Sequence, residues 1–452
     1  MSAKIFGIGG ADVIQFLQAG VGAVARTLLS KLQSIGIDPF DFDAVGDGVA
    51  DDATAIQAAI DHATSLLIGN SFIEVDLAGK TYGVGSTILL KAGVNLKNGG
   101  LIAVGDAWAI TDPMISITSI EDSGLSKVFI DCQWKCAGVL RDSGKRSNID
   151  KCTIQRFKTY GAKDTGTTQE SKLTNSIIRQ YVYGDTGFDA SANRDADGLY
   201  VDTADSIYDN NVILYCLYPL HVTGTLNLFS NIHVYNGATA DANENVAVRV
   251  DGGAAQNLFS NMYIDNGICQ IENSFINTFS IVTFQHTAAG TNTIAFELIA
   301  TEASETAAGF IASDVRFNGT YSTGKLVFST SGTGSWSGTR KIQWHACSDQ
   351  AGNPVTYLAK WADKAALSDS GNLNLNAGVY QVAGTQVIGA QETGWTASTG
   401  TANKDAYATY AGQTMSAGYV QAEVQTTDDA AKANSQRIKA IEDAMRAHGL
   451  IN

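Results

Sequence analysis

Four short segments of the sequence share a pattern in which polar residues flank a β-branched centre: LYVDT at 199–203, LHVTG at 220–224, VRVDG at 248–252 and CQIEN at 269–273. Their central residues, Val201, Val222, Val250 and Ile271, are spaced 21, 28 and 21 residues apart. Alternate side chains of an extended chain point to opposite faces, so inward-facing centres turn their neighbours outward. One outward column is then Tyr200, His221, Arg249 and Gln270; the next is Asp202, Thr223, Asp251 and Glu272. Stacked strands lie about 4.8 Å apart, which puts Asp251 and Glu272 about 5 Å apart and Asp202 and Asp251 about 10 Å apart. Carboxyl pairs about 5–5.5 Å apart suit retaining glycoside hydrolysis, and pairs about 6.5–9.5 Å apart suit inversion. Asp202, Asp251 and Glu272 are therefore the candidate catalytic residues, with Asp251 as the ionised member and Glu272 or Asp202 as the acid. In an eliminating reaction Arg249 would instead hold a uronate, with His221 or Tyr200 as the base.

Two insertions sit beside these segments. GDTGFDASANRDADG at 184–198 precedes Asp202, and NGATADANENV at 236–246 precedes Asp251. Both interrupt the repeat at the same corner, and two enlarged turns over a flat face make a groove. Asp195, Asp197 and Glu244 fall on these lips, and Phe188 offers a ring on which a sugar could stack. Tyr200, His221, Arg249, Asp197, Glu244 and Phe188 are thus the candidate substrate-binding residues. DADG at 195–198 opens like a calcium loop but lacks the later ligands. Cys132 and Cys136 have no second pair at zinc spacing. No metal and no cofactor is expected. A plainer reading of the same carboxylates is that outward Asp residues bond backbone groups at corners, and that Asp251-Gly252 is an ordinary turn.

The elements that must position these residues form an irregular repeat. NLFSNIHVYNG at 227–237 recurs as NLFSNMYIDNG at 257–267 and, more weakly, as NTFSIVTFQHT at 277–287. KVFIDCQW, DKCTIQRF and NSIIRQYV continue the theme upstream, about 23 residues apart. Short β-branched strands repeating at this length mark a stacked solenoid. The LxxLxL pattern of leucine-rich repeats is absent. The expected fold is all-β, a right-handed single-stranded parallel β-helix over residues 39–345. Its first coil would expose unpaired strand edges, and FDFDAVGDGVADDATAIQAAID at 40–61 supplies a cover. Gly46-Asp47-Gly48 turns the chain, Asp51 or Asp52 caps a helix, and Ala55, Ile56, Ala59 and Ile60 form its apolar stripe.

Residues 1–38 read as an N-terminal attachment or cap segment, with a turn at 20–22 and then an amphipathic helix of about 12 residues. Residues 346–423 read as a C-terminal β-rich region with hairpin strands at 372–389. Residues 424–452 read as a C-terminal coiled-coil helix whose seam is Ala431, Asn434, Ile438, Ile441, Met445 and His448. Isoleucine in both seam classes favours three or more strands.

Bulk properties narrow the partners. A net charge of −15 over 452 residues argues against nucleic acid and anionic membrane and suits a secreted or virion protein, or one handling neutral or weakly charged sugars. No apolar run is long enough for membrane insertion. Four prolines and 46 glycines fit a turn-rich β protein. The six scattered cysteines read as buried thiols of a chain made in a reducing cytoplasm. No secretory pattern opens the sequence, so a protein acting outside the cell would leave by another route.

AGVGAVARTLLSKL followed by FDFDAVGDGVADDATAIQAAID resembles the N-terminal signature of bacteriophage tailspikes and tail fibres of the pectate-lyase-like β-helix superfamily. DGLYVDTADS and NLFSNIHVYNG are similar to the coil repeat of the same proteins. The resemblance covers roughly residues 10–290. It implies a homotrimer in the phage tail, made in the bacterial host cytoplasm. Its N-terminus would join other tail or baseplate proteins, and its body would bind and depolymerise a bacterial surface polysaccharide, capsule or O-antigen. Lyases, hydrolases and non-catalytic adhesins share this fold, so a receptor-binding fibre without activity, or a cellular polysaccharide lyase or hydrolase, stands as the alternative. The sequence departs from the polygalacturonase branch: Asn-Thr-Asp, Asp-Asp and Gly-His-Gly are missing as a set, and Arg437-Ile438-Lys439 lies outside the repeat.

Overall fold

Ten parallel strands, one per coil, form one long sheet of the computed structural model. They are β1 (Ile88–Leu89), β2 (Pro113–Thr118), β3 (Ala137–Asp142), β4 (Tyr160–Thr165), β5 (Asp197–Val201), β6 (Tyr218–Val222), β7 (Val246–Val250), β8 (Ile268–Glu272), β9 (Ile294–Ala300) and β10 (Gly324–Thr330). The structure describes residues 36–355 apart from 70, 187–193, 237–245, 275, 287–293, 301–309, 320, 322–323, 332–341 and 354; it also describes 416–447 and short pieces elsewhere. Met1–Val355 and Thr356–Asn452 form two compact units.

Each full coil adds two shorter strands that close the solenoid. In one coil these are Ile207–Asp209 and Val212–Leu214, which pair in parallel with Leu228–Ser230 and His233–Tyr235 of the next. The bend between them falls on residues in the left-handed region: Asn175, Asn210, Asn231 and Asn261 have φ between 50° and 54°. Asparagine tolerates this conformation better than other residues with a Cβ, which is why SN recurs inside the repeat.

The repeat also builds the interior. Equivalent positions on successive coils stack, so Tyr208, Phe229, Phe259 and Phe279 form a column with ring centroids 4.9, 4.8 and 4.4 Å apart. The leading asparagine of the motif points inward as well. Asn257 donates through Nδ2 to the Gly224 carbonyl at 2.9 Å and accepts the Asn227 N–H at 3.0 Å. Asn277 repeats both bonds one coil on. Every buried polar group in this ladder has a partner on the adjacent coil. One charged cluster is enclosed too. Arg141 donates from Nε and NH2 to the two oxygens of Asp164, each at 2.6 Å, and the Tyr208 hydroxyl donates to Asp164 at 2.6 Å. All three side chains are fully buried.

A helix, α1 (Ala53–Ser65), buries Ala55, Ile56, Ala59, Ile60 and Ala63 against the first coil. Its Gln57 side chain accepts the Leu89 N–H at 2.9 Å and donates to the Leu89 carbonyl at 3.0 Å. The lid thereby satisfies the edge strand β1 directly. Of the two aspartates expected to cap the helix, Asp51 takes a first-turn N–H and Asp52 does not. Asp52 makes no cap bond; its carboxylate turns back to accept the N–H groups of Val45 at 2.7 Å and Gly46 at 3.0 Å. Asp51 accepts from Ala53 at 3.1 Å and Gly85 at 2.8 Å. The turn needs its glycines: Gly46 has φ 69°, and a Cβ there would lie 2.8 Å from the Phe40 ring.

At the N-terminus, Arg26–Thr27 pairs antiparallel with Gln15–Phe16 instead of opening the expected helix. Ile37 bridges in parallel to Val75 at the segment's end, and residues 1–14, 17–25 and 28–35 lie outside the described residues. In the second unit Ala366–Leu367 pairs with Leu373–Asn374, and Tyr380–Val382 with Thr385–Ile388. Helix α2 (Gln421–Ala447) starts earlier than the seam suggested and exposes it: Ile438 is 66%, Ile441 54% and Met445 37% exposed. His448 lies outside the described residues. All six cysteines are buried and free.

Candidate functional site

The register of the long sheet sets the site. Lys163, Tyr200, His221, Arg249, Gln270 and Glu297 are paired in succession across β4 to β9, so their side chains form one outward row. Val201, Val222, Val250 and Ile271 form the buried row beside it. Asp251 and Glu272 therefore lie on adjacent coils, with Asp202 two coils before Asp251.

Charge runs along this face as a chain of hydrogen bonds. His221 meets Asp197 through Nδ1 and Asp251 through Nε2, each at 3.1 Å. Arg249 donates from Nε to Asp251 at 2.6 Å, from NH1 to Gln270 at 3.0 Å and from NH2 to Glu272 at 2.5 Å. Gln270 donates on to Glu297 at 2.9 Å, and Ser329 closes the row on Glu297 at 2.5 Å. Burial opposes charge on His221, yet the bonds to Asp197 and Asp251 outweigh it and raise its pKa to about 9. Burial likewise works against the Asp251 carboxylate, but His221 and Arg249 hold its pKa below the usual value. Burial, with Asp202, Asp251 and Asp197 nearby, pushes the Tyr200 hydroxyl up. At neutral pH His221 is an imidazolium with both nitrogens engaged, and Tyr200 keeps its proton. Neither is placed to act as a base.

Aromatic side chains border the chain of charges. Tyr200 and Tyr218 present edges to His221 at centroid distances of 4.8 and 5.4 Å, and Arg249 lies 5.4 Å from the Tyr218 ring. On the other side of Tyr200 a cleft of about 500 Å³ opens, lined by Tyr160, Lys163, Thr165, Asp197 and Tyr200 among others. Asp197 is the first residue of β5 and faces this sheet, so it is not a lip residue as its place in the insertion suggested. Asp195 accepts from Gln180 at 2.5 Å. Arg194, buried beside it, donates to the Asn236 carbonyl and so joins the stems of both insertions. Asp202 is exposed. Phe188 and Glu244 lie outside the described residues.

Sequence reasoning missed Tyr160, Lys163, Tyr218 and Glu297. The alternation that found Tyr200 would have found Lys163, had the inward position after it not been Asp164. Among the described residues no group of three or more His, Cys, Asp or Glu could hold a metal ion. No described helix is long and apolar enough to cross a membrane.

The fold is a single-chain parallel β-helix with a helical N-terminal lid. It is the fold of a phage tailspike: the HK620 tailspike of an E. coli bacteriophage, solved with a pentasaccharide, superposes with a TM-score of 0.54 at 13% identity, over 75% of this chain and 71% of that one. A mutant of that tailspike with a hexasaccharide gives 0.52 at 12% identity, over 74% and 69%. In sequence, the tail needle protein gp26 of Salmonella phage P22 is 51% identical over 76 residues, 16% of this chain and 31% of that protein. The polygalacturonase QRT3 of Arabidopsis thaliana is 26% identical over 207 residues, 42% of each. The chain thus spans less than half of either curated relative. No family model matches.

Proposed function

We propose that this chain is a phage tailspike that binds a bacterial surface polysaccharide along the outward face of β4 to β8. The observation that carries the reading is the row of tyrosines and hydrogen-bonded charges on one flat sheet, with a cleft opening beside Tyr200. Tyrosine rings beside fixed polar groups suit sugars, which present apolar ring faces and hydroxyl rims. The tailspike fold and the likeness to a tail needle protein support a place in the virion tail. Residues 1–38 would join other tail or baseplate proteins. The exposed isoleucines of α2 support a homotrimer, since an apolar seam left in water calls for partner helices.

Cleavage of the glycan is the second reading, favoured by the likeness to a polygalacturonase. Arg249 bridges Asp251 and Glu272, so both carboxylates have a charge partner and Asp202 is the carboxyl left to act as the acid. Asp202 is exposed, pairs with no cation among the described residues and stands two strands from the ionised Asp251. Asp251 would take a proton from water as the water attacks the anomeric carbon. Asp202 would protonate the departing glycosidic oxygen, with inversion. The test is purified protein incubated with a panel of bacterial capsules and O-chains. Retention of one polysaccharide supports the binding reading, and retention of none refutes it. New reducing ends, lost in Asp251→Asn and Asp202→Asn with binding intact, support hydrolysis. A rise in ultraviolet absorbance would mark elimination instead, and unchanged chain length a pure adhesin.

A further inference from the structure

Lys163 differs from the other cations on this face. Arg249 is committed to two carboxylates and a glutamine. Lys163, one row partner from Tyr200, makes no ion pair among the described residues. Its Nζ instead lies 4.9 Å from the Tyr200 ring centroid and 5.7 Å from that of Tyr160. Ring faces hold an ammonium in place while consuming none of its N–H donors. The result is a positioned cation with uncommitted donors, set in a cleft whose volume of about 500 Å³ is typical of a small-ligand site.

We propose that this cleft is a subsite for a sugar residue bearing a carboxylate, with Lys163 as its anion ligand. The inference rests on the polysaccharide-binding reading and names a chemical class for it. A monoanion fits the local charge. The carboxyl group in the lining is that of Asp197, which His221 already engages at 3.1 Å. A dianionic phosphate would face that carboxylate with one lysine to balance it, whereas a carboxylate is matched one to one. A neutral sugar would gain less, because the ring faces it would stack on already hold the ammonium. The chain's charge of −15 repels acidic glycans at long range. A positioned cation at the point of contact supplies the short-range attraction that screening by salt leaves intact.

The carboxylate could belong to a uronic acid ring, a sialic acid or a pyruvate ketal, and the experiment separates these sources. The full-length protein is titrated with acidic and neutral bacterial polysaccharides, each native, carboxyl-reduced and mild-acid-treated. Reduction removes the charge of all three sources, while mild acid strips sialic acid and pyruvate and leaves uronic acids. The expected result is that the bound polysaccharides carry carboxylates and that reduction weakens binding by about tenfold or more. Lys163→Met, which keeps the stem on the tyrosines, should lose the same factor against the native glycan and nothing further against the reduced one. Equal affinity of wild-type protein for native and reduced glycan overturns the subsite without any variant. So does wild-type affinity of Lys163→Met for the native glycan. Failure to bind any polysaccharide defeats the wider reading and the subsite with it; binding indifferent to carboxyl reduction defeats the subsite alone.

Discussion

Replacing His221 by glutamine tests the electrostatic account of the sheet face. The imidazolium bridges Asp197 on one neighbouring coil and Asp251 on the other, and its side chain is 15% exposed, so solvent screens little of the interaction. The rise from 6.5 to about 9 corresponds to about 3 kcal/mol of coupling, at about 1.4 kcal/mol per pKa unit. Because the folded pKa lies above the unfolded one, the coupling is complete below pH 6.5 and disappears as pH rises through about 9. Glutamine retains a donor and loses the charge. His221→Gln should therefore be less stable than wild type by about 2–3 kcal/mol near pH 6, and by under about 1 kcal/mol near pH 10. The assay is denaturant unfolding at both pH values, read as unfolding rates where refolding is incomplete. An equal stability gap at the two pH values would refute the claim that His221 is charged and held by its carboxylates.

Three further outcomes follow from other parts of the molecule. Asn257→Ala strips partners from the Asn227 N–H and the Gly224 carbonyl inside the solenoid and should cost about 2–4 kcal/mol; a variant with wild-type unfolding would show that the ladder is dispensable. Asp52→Ala should cost about 2 kcal/mol through the lost bonds to Val45 and Gly46, with helical circular dichroism and glycan affinity unchanged. A loss of glycan binding by a soluble, equally stable Asp52→Ala protein would contradict a purely structural role. The double variant Ile438→Ser, Ile441→Ser should shift the mass seen by light scattering from trimer to monomer; a wild-type chain that is already monomeric at micromolar concentration rules the seam out.

The two outward columns were legible because strand alternation has a fixed period of two and the repeat spacing names the neighbours. Val201, Val222, Val250 and Ile271 mark their coils unmistakably, and the side chains on either side of them follow. Lys163 escaped because the equivalent inward residue of its coil is Asp164, a carboxylate kept inside by Arg141 and Tyr208. A buried charge breaks an apolar pattern, and only the partners, distant in sequence, reveal why. Asp52 escaped for the opposite reason. Acid before a helix is a cap by local statistics, but the turn at Val45 and Gly46 offered two stronger claims on the same carboxylate. At Arg26–Thr27, pairing with a strand ten residues upstream overrode helical periodicity.

The enclosed Arg141, Asp164 and Tyr208 come from three successive coils, and this has a consequence for assembly. A solenoid built from near-copies is prone to threading errors, since a coil skipped during winding still lays apolar residue on apolar residue. Here the skip is not silent. In the native stack Arg141 is paired with Asp164, and Asp164 with Val201. Leave out the coil of β4 and Arg141 closes onto Val201, keeping its bond to the Ser147 carbonyl but sealing a guanidinium without a counter-ion in the interior, at a cost of several kcal/mol. The triad works as a counting mark. It lets a nearly uniform cylinder distinguish the correct number of turns from one too few, at the coil that carries Lys163 and one wall of the cleft.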